Sequence, residues 1–500
     1  MKLEVRNYDL DASEPTVLMH EDDCRTLCVS EGDRVRISGG RDAIAIVSIS
    51  DTLVHPGTIL VPHSVRECAS VGIGEMSEVS VSHAPESVRH IRRKMDGGKL
   101  GEEEVAQIVD DAVAGRLSRI EMSAWLTALY IKGMDTDEIA YYAKAMAETG
   151  DRMSFGSERV FDFHSFGGIP GNKITPIVVS IVAAAGLRMP KLSSRAISSA
   201  CGTADFVETF CRVDLGTEEV RSITERTGGV FSWTGATDLG PAGDRFITVQ
   251  SPLGIDPRPQ MLASIMSKKV AAGATDLVMD IPMGSESKVP TLEEARSYAR
   301  DLMDLGERLG MRVECAITYA EQPLGSTVGP ILEARECMEV LEGVPGHEDV
   351  VEKSCVCAGL VLGLAGFPDG AAEARRILDS GEARSKFLEI VAAQGGSADV
   401  SSAEMVPGRF SRDVVSDRPG FVRRISNKAV VAVAKAAGAP SDKGAGVVIH
   451  KKLGAKVSAG EAIMTVYADR EDKLLHAMEI TMEREPLVVE GMVIGRVSPE

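Results

Sequence analysis

The chain has 500 residues, 44% apolar and 26% charged, with no low-complexity tract, so it predicts about three or four packed domains and excludes a disordered chain. Its net charge of −19 argues against a nucleic-acid surface, which needs clustered Lys and Arg, and requires any anion site to be locally positive against the overall field. The longest apolar run, Ile177 to Leu187, is shorter than the ~20 residues of a membrane span, no basic-then-apolar signal opens the chain, and nine cysteines without a CxxC pair predict reduced thiols; a soluble, cytoplasmic protein without a membrane partner is expected.

Residues 1–84 read as short strands, among them Arg34 to Ile37, Ala43 to Ile49 and Glu78 to Val81, separated by Gly, Asp and Pro turns, which predicts a small β-rich domain. From Ser87 the apolar period becomes helical. Val105, Ile108, Val109, Ala112 and Val113 share one face, Ser118 and Glu121 form a capping box for a helix stopping at Gly133, and Asp135 or Thr136 caps another ending at Gly150. After Gly156 the texture is α/β: a strand at Val160 to Phe163, a buried helix at Ile174 to Leu187, a strand at Met189 to Leu192, a helix bearing Phe206, Val207 and Phe210, then strands at Leu277 to Ile281 and Val313 to Thr318. Such alternation predicts a mainly parallel sheet with ligand loops at the carboxyl ends of its strands. Near residue 425 the pattern turns β again, and the Gly-punctuated hairpins Gly446 to Gly454 and Lys456 to Tyr467 resemble a lipoyl-type barrel sandwich; a carrier role would put Lys473 at a hairpin tip, although a purely structural hairpin domain explains the pattern without it.

Two loops carry chemistry. Asp162 to Lys173 contains Gly167, Gly168 and Gly171 and opens onto a helix, where glycines allow close backbone approach and unpaired N–H groups favour an anion; a plain strand-to-helix turn uses the same residues. Ser193 to Thr203 packs five hydroxyl side chains and Arg195 into eleven residues, the neutral and charged donors that phosphate and ribose oxygens require. Two such loops in consecutive β–α units point to a converging anion site and not to two ordinary turns.

The loops, FHSFGG at 163–168 and SSRAISSACGT at 193–203, resemble the KHSTGG and SGRGLGHTGGT segments of thymidine and pyrimidine-nucleoside phosphorylases. The likeness continues through Arg245-Phe246, Asp256, Ala263 to Lys269, Glu321 to Gly325 and Ala445 to Lys452, covering roughly residues 85–470. It departs where the nucleoside enzymes read a pyrimidine with Arg, near Val249 and Gln250; at Phe163, which replaces the loop Lys; and at Lys288, which replaces an aromatic. With the extra N-terminal domain, these departures resemble the archaeal AMP phosphorylases of the same superfamily.

This resemblance implies a helical domain at 85–153, completed by about 245–272, facing an α/β phosphate-binding domain at 154–425 across a cleft, with a β-rich domain at 1–84 and an α+β, barrel-sandwich-like domain at 426–500. It implies phosphate on Gly168, on the run Ser194, Arg195, Ala196, Ile197, Ser198 and Ser199, and on Thr203. The base would lie toward Asp256 and Ser264, with Asp256 the general acid to the leaving base. Lys288 would meet a 5′-phosphate, a dianion needing a cation once it leaves water. Taken without the resemblance, Asp256 beside Pro257 reads as a turn residue and Lys288 as a solvated surface lysine. AMP and inorganic phosphate would be the substrates, with CMP and UMP unranked against AMP, in a homodimer or larger homo-oligomer. No metal or cofactor is implied. A pyrimidine-nucleoside phosphorylase, an anthranilate-type phosphoribosyltransferase and a non-enzymatic scaffold are the alternatives; they lack, respectively, the base-reading Arg, an acidic pair for Mg²⁺, and a use for the two loops.

Overall fold

The computed structural model describes residues 1–9, 14–196 and 199–493, which divide into two compact units: 1–150 with 240–267, and 151–239 with 268 onward. In the first unit, β1 (Lys2–Tyr8), β2 (Thr16–Met19), β3 (Arg34–Ser38), β4 (Asp42–Ile49), β5 (Thr58–Pro62) and β6 (Met76–Ser82) close a barrel in the order β1-β5-β2-β4-β3-β6. Alternate residues such as Val35, Ile37, Ala45 and Val47 fill its interior, and closure leaves no free sheet edge.

The same unit holds the helices Ser87–Met95, Glu102–Val113, Arg119–Lys132 and Thr136–Glu148. Ser118 and Glu121 cap the third reciprocally, as do Asp135 and Glu138 the fourth. Glu138 is also buried against Lys94, both its oxygens 2.8 Å from Nζ. The helices Pro241–Leu253 and Arg258–Ala271 join this bundle around Tyr142, whose hydroxyl accepts from Trp125 Nε1 at 3.0 Å and donates to Gln260, and whose ring packs edge-on to Phe246. Arg34 of the barrel pairs with Glu121, and Glu14 accepts the Arg119 amide.

The second unit is built on parallel strands. β7 (Phe161–Ser165), β8 (Met189–Ser193), β9 (Gly229–Trp233), β10 (Asp276–Met283) and β11 (Arg312–Tyr319) follow the spatial order β11-β10-β7, continued by a parallel bridge from Val160 to Arg188 into β8-β9. The buried helices Ile174–Ala184, Pro330–Leu341 and Glu348–Ala365 cover it. The chain beyond residue 400, joined by the strand Thr327–Val328, forms a four-stranded antiparallel sheet (Thr327–Val328, Gly446–Ile449, Ala462–Ala468, Phe410–Val415) and a three-stranded one (Lys456–Val457, Gly420–Ile425, Leu487–Glu490), which pack with two helices around their own core.

Two sequence expectations are corrected. The helix bearing Phe206 and Val207 ends at Val207, and Phe210 lies beyond it, its ring centroid 5.1 Å from that of Phe387. Lys473 is not at a hairpin tip: it sits in the first turn of the helix Glu471–Arg484 with Nζ 2.7 Å from Asp442, so the carrier reading fails. No helix among the described residues is long and apolar enough to cross a membrane.

Candidate active site

In the second unit the chain leaves β7 to add β8 and β9 on one side, then returns to add β10 and β11 on the other. The switch falls between β7 and β10, and since all the strands are parallel, the loops after β7, β8 and β10 open at one end of the sheet, where α/β proteins bind ligands.

The first loop leaves β7 at Ser165, whose hydroxyl donates to Asp280 Oδ2 at 2.7 Å and accepts from Asn172 Nδ2 at 3.0 Å. Asp280 is fully buried on β10, 2.8 Å from Lys353 Nζ, so the loop is pinned to the neighbouring strand. Gly168 is exposed, with open space where a Cβ would stand. Lys173, the lysine of this loop, turns into the core: its Nζ lies 2.6 Å from Glu336 Oε2 and 3.2 Å from the carbonyls of Leu324 and Thr327. Against the effect of burial, its charge holds Glu336 well below the usual carboxylate range.

The second loop is folded by one carboxylate. Asp205, the third residue of the helix Thr203–Val207, accepts from the Ala196 amide at 2.7 Å and the Gly202 amide at 2.9 Å through the same oxygen. Gly202 has no room for a side chain: a Cβ would stand 2.7 Å from backbone atoms of Ser194, Arg195 and Ala196. Arg195 is committed locally, donating to Glu208 at 2.5 and 2.9 Å and lying 5.0 Å over the Trp233 ring. Its hydrogen bonds, with Lys443 Nζ at 2.8 Å, depress Glu208 to about 2. Ser194 is exposed at the loop's start, Ser199 Oγ donates to the Cys201 carbonyl at 3.0 Å, and partly buried Thr203 opens the helix. Ile197 and Ser198 lie outside the described residues.

After β10 a tight turn loops the chain round to Val289, which bridges Met283 in parallel. Gly284 N donates to Ser287 Oγ at 3.0 Å, Ser285 is held by Glu321, and Glu286 accepts from Ser426 and the Lys428 amide. Lys288 follows on the surface, with its aliphatic stem across Gly167 of the first loop. In the first unit, Asp256 stands exposed between the helices Pro241–Leu253 and Arg258–Ala271, its Oδ1 3.4 Å from Gln250 Nε2. Ser264, partly buried, shares a face of the second helix with Lys268 one turn on.

Residues 88–150 match the model described as glycosyl transferase family, helical bundle domain; 157–384 match its a/b domain; 421–483 match the pyrimidine nucleoside phosphorylase C-terminal domain; and 2–83 match the Molydopterin dinucleotide binding domain. An AMP phosphorylase of Methanosarcina barkeri is 44% identical over 500 residues, 99% of each chain. The chain belongs to the AMP phosphorylase family. A relative of the same name from Methanocaldococcus jannaschii is 44% identical over 503 residues, again 99% of each chain. Membership makes the chain a pentosyltransferase, with the helical bundle and a/b domains of the glycosyl transferase family over 88–150 and 157–384. The anthranilate phosphoribosyltransferase of Thermus thermophilus shares that fold at TM-score 0.53 and 24% identity, over 61% of this chain and 99% of its own.

The structure brings Lys288 to the first loop and assembles the second loop around Asp205, a residue the sequence reading passed over. Its signal was available: Gly202-Thr-Ala-Asp205 has the spacing at which an N-terminal acid reaches back to the capping amide. The site was also expected to use Arg195 as a donor, but its carboxylate partner Glu208 stands thirteen residues away and was not visible as such.

Proposed function

We propose that this protein cleaves AMP with inorganic phosphate, releasing adenine and ribose 1,5-bisphosphate. The observation that carries the reading is Lys288 lying across the glycine loop, in a chain 44% identical to AMP phosphorylases along its whole length. A nucleoside offers that ammonium only a neutral hydroxyl, whereas a 5′-phosphate brings the dianion it can meet.

In the proposed mechanism the incoming phosphate is held by Gly168, Ser194, Ser199 and Thr203, with the Ala196 amide fixed by Asp205 and Arg195 bracing the loop through Glu208. Its oxygen attacks the anomeric carbon as the bond to the base breaks. Asp256, with Ser264 on the base side, gives its proton to N7 of the departing adenine, which leaves neutral instead of as an anion. Hydrogen phosphate gives up its own proton as the new C–O bond forms, which restores Asp256 to its acid form. Excluding water at this stage favours phosphorolysis over hydrolysis.

AMP is an intracellular metabolite, and we place the enzyme in the cytoplasm. The exposed side chains Ile120, Tyr130 and Ile131 on the helix Arg119–Lys132 support a homo-oligomer. The test compares phosphate-dependent base release from AMP, CMP, UMP and adenosine side by side. The reading requires AMP to be cleaved and adenosine to lag far behind; faster cleavage of adenosine or of a pyrimidine nucleoside would overturn it.

A further inference from the structure

The first loop springs from a buried group with more positive than negative charge. Asp162 on β7 has Oδ2 2.7 Å from Lys269 Nζ and Oδ1 3.2 Å from Lys191 Nζ, and none of the three side chains is more than 5% exposed. Lys191 Nζ also donates to the carbonyl of Phe163, two residues before β7 ends at Ser165 and the loop begins. One carboxylate therefore serves two ammonium groups. His164 beside them is kept from protonating by burial and by the charges of Lys269 and Lys191.

A surplus buried charge is costly, and a core built only for stability gains nothing from a second ammonium here. The loops, by contrast, lack charge for an anion. Among their described residues Lys173 is neutralised by Glu336 and Arg195 by Glu208 and Asp205, leaving hydroxyls and amides as neutral donors. Because it is buried, the surplus charge under β7 is little screened by solvent and acts over several ångströms.

We propose that Lys191 is a positioning residue for the incoming phosphate: the surplus charge of the Asp162–Lys191–Lys269 group, fixed at the root of the loop, draws the dianion onto the loop's neutral donors without touching it. The proposal rests on the assignment of the two loops to phosphate. It carries a pH signature. Burial, with the charge of Lys269, pushes Lys191 down to about 8 in spite of Asp162. The groups facing it are Asp162 and His164 from β7 and Lys269 from the helix Arg258–Ala271. A bound dianion favours the ammonium form, so binding near that pH takes up protons, and affinity is constant well below it and falls as pH rises past it.

Sulfate is the probe, since it stays a dianion throughout. Calorimetry of sulfate binding to the full chain at about pH 8, in two buffers of different ionisation heat, should show uptake of about half a proton. Lys191→Met should bind sulfate about tenfold more weakly at about pH 6.5 with no proton uptake, and raise KM for phosphate with kcat within a few-fold, while Lys191→Arg restores the affinity and removes its decline near pH 8. If Lys191→Met fails to fold, the proton count on the unaltered protein decides. Sulfate binding without proton uptake, at an affinity flat across this range, overturns the proposal. An unaltered protein that binds no sulfate overturns the phosphate assignment of the loops, and this inference with it.

Discussion

The side chain of Lys288 lies across Gly167, so closely that a Cβ on the glycine would stand 3.0 Å from the lysine Cβ and 3.4 Å from its Cδ. Gly167 also has φ +75°, which a substituted residue adopts with strain. The absence of a side chain at one position thus creates the seat for the other. Lys288→Ala should weaken use of AMP by about 1.5–3 kcal/mol, the range for a hydrogen bond to a charged group. Kinetics on adenosine serve as the control: equal losses on both substrates would make Lys288 a support of the fold.

Thr203→Ala should chiefly raise KM for phosphate, because in the proposed site the hydroxyl donates to the anion and its loss leaves the Asp205 clasp intact. Gly202→Ala attacks the clasp itself, forcing backbone atoms of three residues apart, and should cost both phosphate affinity and thermal stability. A Thr203→Ala protein that melts earlier at unchanged phosphate dependence would make Thr203 a support of the helix start and nothing more.

Asp256→Asn preserves shape but removes the transferable proton, and turnover on AMP should fall by about 10²–10⁴-fold with AMP affinity largely kept. The loss should shrink for an analogue whose base leaves readily without protonation. Turnover within a few-fold of the unaltered enzyme would return Asp256 to the role of a turn residue.

His347 offers a pH prediction for stability. Hydrogen bonds to Glu336 at 3.1 Å and Glu339 at 3.2 Å raise it from 6.5 to about 9. A raised pKa means the folded state holds the proton more tightly, so this stabilisation is complete below about pH 6.5 and is lost as pH climbs through about 9. His347→Gln should lower Tm at pH 6 but not at pH 10, with a difference on the order of 2 kcal/mol. Equal losses at both pH values would show that packing, and not the proton, is what His347 supplies.

Much of this was readable because local chemistry and tertiary structure agree. The capping box Ser118–Glu121 appears where its spacing put it, Asp135 of the two candidates Asp135 and Thr136 is the cap of the next helix, and β7 and β8 end at the glycine- and serine-rich loops that follow them. What was not readable depends on distant partners. Phe206, Val207 and Phe210 look like one helical face, yet the helix stops at Val207 and Phe210 packs beyond it against Phe387, far along the chain. Lys173 is in sequence only the end of its loop, and its partner Glu336, far along the chain, holds it in the core. In sequence Asp162, Lys191 and Lys269 are merely three charged residues; only the folding of β8 and the helix Arg258–Ala271 against β7 brings them together.

The most direct test follows the products of AMP and inorganic phosphate by phosphorus NMR and base detection. Phosphorolysis predicts one adenine for each AMP consumed, loss of one inorganic phosphate, and two equal resonances from ribose 1,5-bisphosphate. Release of adenine with ribose 5-phosphate and no loss of inorganic phosphate, or AMP left intact however much phosphate is supplied, would contradict it.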